Sequence, residues 1–378
     1  MPVKRPPKSR SSGSALPRLS PDSSGNVPQV FGLRPELPRG LLAPGTLFGR
    51  GYRIGERIGS GGMGVVYSAI EVATHDEVAI KVLGASAASP QNVRRFRREG
   101  QTAASVVHRR CCRVLGVGVD RGAAYIVMER LEGETLRRRL IESGPLSAAD
   151  AVAVMMQLLE GLSAAHAVGV LHRDIKPGNI FLTTPRGAAP SIKIIDFGLA
   201  KLLPSTAWNP RDATPDEEMS AITTTDVVPG TPMYLAPEQI NGERDLDERV
   251  DVWAAGLTFY EMLLNRRAFG GESFVALAHD IVLRALPTLS SLRPDLPLGF
   301  DGLLARALAK DRERRFATAV KFRDALLTEW AKFRTAGVAR AEQMRNFRRP
   351  APTIPVVEDP EQDEPTEIHV RVDFEPDG

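Results

Sequence analysis

Apolar and β-branched clusters open the patterned part of the chain at Val65-Val66-Tyr67, Val78 to Leu83 and Tyr125 to Met128, and each has the length and residue types of a buried strand. Between the second and third, Pro90 to Val107 carries helical spacing with a proline near its start. Beyond Gly133 the period lengthens, and apolar positions recur as on helices over 147–168, 247–264, 299–309 and 317–331. A small sheet with one main helix, followed by a larger helical region, predicts an α+β chain of two lobes. The boundaries fall at about 52–131 for the β-rich N-lobe and 132–330 for the mostly helical C-lobe.

Composition changes that picture mainly at the ends. Residues 1–44 hold nine prolines, and residues 1–50 hold eight Lys or Arg against two acids. Such a stretch has little to bury, so 1–50 is expected to be a disordered Pro/Ser/Arg-rich tail. Within it, Lys4-Arg5-Pro6-Pro7-Lys8 is either a polyanion-docking patch or plain solvated tail. Residues 331–349 form a basic extension that could continue the last helix, and 350–378 a second, acidic tail. The 378 residues carry a net charge of only +3, too little to make nucleic acid the expected partner. The two cysteines, Cys111 and Cys112, are adjacent, which leaves no disulfide framework or zinc set and reads as two small buried hydrophobes. The most apolar long window, Ala148 to Val170, is interrupted by Asp150, Gln157, Glu160 and His166. No membrane span is therefore expected, no signal core is seen at the N-terminus, and a cytoplasmic location fits.

Chemistry concentrates in four places. Gly59-Ser60-Gly61-Gly62-Met63-Gly64 can bring main-chain amides close to phosphate. A Rossmann loop would open a helix, but strand-like sequence follows here, and the Gly-Lys-Ser/Thr of a Walker loop is absent. Lys81, last of Val78-Ala79-Ile80-Lys81 within a buried strand, lies seventeen residues after Gly64 and needs an anionic partner there. His172-Arg173-Asp174-Ile175-Lys176-Pro177-Gly178-Asn179 comes next, and Asp196-Phe197-Gly198 begins seventeen residues after the Asn. Asp174 can accept or orient a hydroxyl proton, while Asn179 and Asp196 can hold Mg²⁺ on a nucleotide.

Together these segments resemble the eukaryotic-type (Hanks-type) protein serine/threonine kinases, in their bacterial form, over residues 52–330. The resemblance implies a bilobal protein-kinase fold and transfer of the γ-phosphoryl group of ATP to Ser/Thr hydroxyls of protein substrates. Mg²⁺ is the implied metal, with Mn²⁺ as its substitute. It further implies that Ile58 to Gly64 and Val66 cover the nucleotide, and that Lys81, held by Glu99, binds its phosphates. Met128 guards the back of the adenine pocket and Glu129 to Leu131 form the hinge. Asp174 is the base or orienting group, Lys176 offsets charge on the moving phosphate, and Asn179 and Asp196 are the metal ligands. Thr231, in Gly230-Thr231-Pro232-Met233-Tyr234-Leu235-Ala236-Pro237-Glu238, hydrogen-bonds the catalytic Asp and shapes a peptide platform. Glu238 pairs with Arg315, and Asp251 supports the catalytic loop. Arg173 makes an anion site for phosphate on Thr223 or Thr225, placed there by autophosphorylation between self-associated copies.

The chain departs from the family's pattern at His108-Arg109-Arg110-Cys111-Cys112 and at Arg312, where prolines are common. A pseudokinase scaffold would lack at least one of Lys81, Asp174, Asn179 and Asp196, and all four are present. A small-molecule phosphotransferase would lack the element around Thr231.

Overall fold

The structure is a computed structural model. It describes residues 42–49, 51–61, 64–83, 100–183, 189, 191–197, 232–271 and 273–346. Of the expected site residues, Gly62, Met63, Glu99, Thr223, Thr225 and Thr231 lie outside them. The chain forms two compact units, Met1–Trp330 and Ala331–Gly378.

The N-lobe sheet is antiparallel, with strands β1 (Leu47–Phe48), β2 (Tyr52–Gly61), β3 (Gly64–Glu71), β4 (Glu77–Leu83), β5 (Val114–Asp120) and β6 (Ala123–Glu129). Their spatial order is β1-β2-β3-β4-β6-β5. The β5–β6 hairpin turns on Arg121 and Gly122, both at positive φ (49° and 76°), the geometry of a two-residue turn that suits sheet twist. The lobe's core is built from Ile54, Tyr67, Ile80, Tyr125 and Val127. Of the helix expected over 90–107, residues 100–107 are described: 100–104 are helical, and the chain leaves the helix at Ser105, short of the expected end at Val107.

One boundary expectation is corrected. The tail drawn through residue 50 gives way at Leu42, because residues 42–49 pack into the N-lobe. Leu42 is buried and its amide donates to the Tyr67 hydroxyl at 3.0 Å. Phe48 is fully buried, edge-on to Tyr125 with ring centroids 5.1 Å apart. The short strand β1 pairs with β2, and the Gly49 amide donates to Asp120 Oδ2 at 3.0 Å.

The C-lobe begins with β7 (Glu134–Thr135), which pairs with β8 (Ile180–Leu182), itself paired with β9 (Ile192–Ile194). Its main helices are α1 (Leu136–Ser143), α2 (Ala148–Ala167), α3 (Arg249–Leu264), α4 (Phe274–Leu283), α5 (Gly299–Ala307) and α6 (Ala319–Asn346). Ser147 caps α2 by accepting from the Asp150 amide, so the helix starts where the apolar period does. All of α3 from Val250 to Leu263 is buried, as expected for a helix apolar on every side. It is the post around which the lobe packs. Among the described residues α2 is the one helix long and apolar enough to cross a membrane. Its apolar face, Val154, Met155, Leu158 and Leu162 included, lies in the C-lobe core.

Candidate active site

The loop from His172 to Asn179 is fixed from beneath by one buried carboxylate. Asp251, at the start of α3, accepts the His172 amide at 2.8 Å and the Arg173 amide at 2.7 Å. Arg173 can present its amide this way because it adopts a left-handed φ of 65°, a conformation that needs such support in a non-glycine residue. Burial alone would raise the Asp251 pKa, but the hydrogen bond and charge of His166 hold it below its ordinary value. The Asp174 amide donates to His172 Nδ1 at 3.2 Å, so Nε2 carries the ring proton and donates to the Ile195 carbonyl at 2.9 Å. That bond ties the loop to the residue before Asp196. Phe197 packs on the same ring, centroids 4.7 Å apart.

Above this base three polar side chains meet. Lys176 Nζ lies 2.9 and 2.8 Å from the two Asp174 carboxylate oxygens. Asn179 Nδ2 donates to the Asp174 carbonyl at 2.7 Å and to its Oδ2 at 2.9 Å. With both amide hydrogens so used, Asn179 keeps its Oδ1 without a partner among the described residues. From the N-lobe, Lys81 Nζ reaches Asp196 Oδ2 at 2.7 Å, across 115 positions of sequence. Lys81 is nearly buried, and this carboxylate supplies the counter-charge that burial demands. Asp196 also holds a positive φ of 64°. Its Oδ1, like Asn179 Oδ1, has no partner among the described residues. Two hard oxygens thus remain, a donor set that fits Mg²⁺, an ion that takes few protein ligands and completes its octahedron with phosphate and water.

Ile58, Gly59 and Ser60 sit near the end of β2, and Gly61 pairs with Gly64 at the hairpin tip. Gly64 has φ 146°, and a Cβ there would lie 2.2 Å from the Val82 carbonyl, so no other residue fits. Val66 is the direct cross-strand partner of Lys81. Met128 and Glu129 end β6, with Leu131 two residues past Glu129. The Glu129 carboxylate is pinned at Oε1 by Lys193 Nζ at 2.6 Å and the Arg113 amide at 2.8 Å.

Farther out, Arg315 forks onto Glu238, Nη1 to Oε1 at 2.7 Å and Nη2 to Oε2 at 2.8 Å. Its Nε donates to the Ala309 carbonyl at 2.8 Å, and the guanidinium stacks on Trp253. The departures from the family pattern also find physical reasons. Arg109 and Arg110 both bond Glu160 of α2, at 2.8 and 3.4 Å. The Ile194 amide donates to the Arg110 carbonyl at 2.7 Å, and the Cys112 amide to the Ile194 carbonyl at 2.8 Å. Both cysteines are buried, and desolvation pushes their thiols up to about 12, as inert core residues. Arg312 bonds Asp245 at 2.7 Å.

Two contributors, His166 and Glu261, had escaped sequence reading. His166 bridges Asp251 and Glu248, with Nε2 2.8 Å from Asp251 Oδ2 and Nδ1 3.0 Å from Glu248 Oε2. Glu261, buried in α3, accepts from the Tyr234 hydroxyl and, at 2.8 Å, from Arg137 Nη1 of α1. Burial, with Glu261 alongside, raises the Tyr234 pKa strongly. A lone acid inside the apolar run Thr258 to Leu264 was the available signal for Glu261.

This geometry has counterparts. Residues 52–330 match the model of the protein kinase domain, and the chain belongs to that family. Among its relatives are bacterial serine/threonine kinases. It is 36% identical over 295 residues to the probable serine/threonine-protein kinase PknB of Bifidobacterium longum, covering 75% of this chain and 40% of that protein. To PknB of Mycobacterium tuberculosis it is 34% identical, covering 75% of this chain and 43% of that one. The chain therefore spans less than half the length of these relatives. The crystal structure of the M. tuberculosis PknI kinase domain superposes with a TM-score of 0.59 at 28% identity, covering 76% of this chain and 100% of that one. The bilobal kinase fold and the bacterial, Hanks-type character expected from the sequence both hold.

Proposed function

We propose that the chain is a protein serine/threonine kinase that transfers the γ-phosphoryl group of ATP, with Mg²⁺, to Ser or Thr hydroxyls of proteins in the cytoplasm. One observation carries this: Lys81 and Asp196, from different lobes, meet beside the Asp174, Lys176 and Asn179 cluster. The bound nucleotide and metal supply the phosphoryl group and neutralise part of its charge. Phosphoryl transfer asks the protein for position and field more than for covalent work. Asp174 receives the hydroxyl proton or orients the hydroxyl. Lys176, now on Asp174, offers its charge to the phosphate as it moves. Lys81 would turn from Asp196 to the nucleotide's phosphates, and Asp196 with Asn179 would hold the metal. Glu99 steadies Lys81, and the main chain of Glu129 to Leu131 takes the adenine edge with Met128 behind it. The segment ending in Tyr234, Ala236 and Glu238 favours a peptide substrate, with Thr231 at its platform. Arg173 receives phosphate placed on Thr223 or Thr225 by a second copy.

Purified protein with labelled ATP and Mg²⁺ is the test. The parent should yield phosphothreonine or phosphoserine on itself and on protein substrates, and Lys81→Met and Asp174→Asn should each lower kcat by about 10²–10⁴-fold. Nucleotide binding without phosphate transfer by the parent would make it a scaffold instead. For the regulatory part, phosphatase-treated parent should activate with a lag on adding ATP, and a Thr223→Ala/Thr225→Ala variant should stay slow. Equal, immediate full activity in both would remove the Thr pair from the account.

A further inference from the structure

A second concave site lies in the C-lobe, among the last turn of α3, the segment following α4, helix α5 and the turn that leads to Arg315. It is a cavity of about 790 Å³, within the size range of small-molecule sites. One wall is apolar, formed by Tyr260, Phe269, Leu289 and Leu308. The polar lining is unbalanced: Arg284, Arg306, Lys310 and Arg314 against Asp301 and Asp311. Both acids are partly committed, since Asp301 accepts the Ser290 amide at 3.1 Å and Asp311 the Glu313 amide at 2.9 Å.

Lys310 is the cation set against the aromatic side of the cavity. Its Nζ donates to the Ile281 carbonyl at 2.6 Å and lies over the rings of Phe269, at 4.7 Å, and Trp253, at 5.2 Å. Among the described residues no carboxylate comes within ion-pair distance of it, and beyond the Ile281 carbonyl two of its three hydrogens have no hydrogen-bond acceptor there. Burial first, then the charges of Arg284 and Arg315 against the opposing pull of Asp280, bring its pKa down to about 8. Arg284 spends Nε on Asp280 and Nη2 on the Ala268 carbonyl, and stacks on Phe269, which leaves Nη1 without a partner among the described residues. Arg314 has no ion-pair partner among the described residues.

We propose that this cavity binds a small amphiphilic anion, its carboxylate or phosphate monoester on Lys310 and Arg284 and its carbon body against Phe269, Leu289 and Leu308. The carbon wall supplies most of the affinity, and the anion supplies the counter-charge that Lys310 lacks. The site shares no residue with the phosphate-handling cluster, so it stands whether or not the chain proves to be a kinase.

Three probes with one carbon body separate the chemistry: 2-naphthyl phosphate, 2-naphthoate and neutral 2-naphthol. Each is titrated calorimetrically into the full chain, with Mg·ADP saturating the nucleotide cleft. At least one anion should bind about tenfold or more tighter than 2-naphthol, and the tighter of the two names the head group. Lys310→Met should weaken it about tenfold, Ala305→Trp should block it by filling the exposed wall of the cavity, and raising the pH from about 7 to 9 should weaken it as Lys310 loses its proton. Should Lys310→Met not fold, Arg284→Gln with Ala305→Trp carries the same comparison. The proposal fails if no anion binds saturably below about 1 mM, if naphthol binds as well, or if folded pocket variants bind unchanged.

Discussion

Both ring nitrogens of His166 face carboxylates, and a neutral imidazole can donate to only one of them. The ring is therefore an imidazolium clamped between Glu248 and Asp251. Burial opposes that charge, but the hydrogen bond and charge of Asp251, then Glu248, raise its pKa above the ordinary 6.5. The sign of the linkage follows. A raised pKa in the folded state contributes stability that is complete below the unfolded value near 6.5 and declines as pH rises through the folded value. Because Asp251 holds the His172 and Arg173 amides, the clamp reaches the loop that carries Asp174. His166→Gln should cost about 1.5–3 kcal/mol near pH 6, and thermal unfolding should show the gap to the parent narrowing toward about pH 9. A gap that stays constant across that range would mean the ring is neutral.

At the scale of elements, the segment 42–49 behaves as part of the domain, although its sequence reads as tail. Ala43-Pro44-Gly45 carries the local signals of a loop, and only Leu42 and Phe48 supply anchors, too few for any period to register. Phe48→Ala should destabilise the protein by about 3–5 kcal/mol, as for any fully buried aromatic. A chain begun at Tyr52 should lose at least as much, read as a lower denaturation midpoint. Similar reasons explain what else was and was not legible. Helix α3 announced itself by continuous apolar sequence, and the Asp174 to Asn179 spacing placed its cluster without a structure. Helix α1 was hidden because three arginines surround the two leucines it buries, Leu136 and Leu140. Strand β5 was hidden by its two glycines and its partial burial. The Tyr234, Glu261 and Arg137 contact joins positions 27 and 124 residues apart, a distance no local pattern encodes.

At the scale of the whole kinase unit, the ties between lobes converge on few places. Lys81 meets Asp196, the strand β9 that leads there is bridged to Cys111, and Lys193 in it pins Glu129 at the end of β6. Glu160 completes the set from α2, drawing in Arg109, Arg110 and, at 3.6 Å, His108. The altered 108–112 connection thus replaces a proline-stiffened turn by an electrostatic fastening to the C-lobe. Arg109 is largely exposed, so each pair is weak alone, and the partly sheltered Glu160 serving several cations gives the network its worth. Burial works to raise the Glu160 pKa, but its hydrogen bonds to Arg109 and Arg110 leave it lowered, so the fastening is at full strength at neutral pH and is lost only as pH falls through that lowered value. Glu160→Gln keeps the shape and removes the charge. It should cost about 1 kcal/mol, or about 2–4 °C in Tm, at low salt. Because the pairs are partly solvated, about 1 M salt should shrink that difference by half or more, and hydrogen exchange over residues 108–112 should quicken in the variant. An unchanged Tm and unchanged exchange would show that the backbone bridge at Cys111 and Ile194 holds the lobes in register without help from these charges.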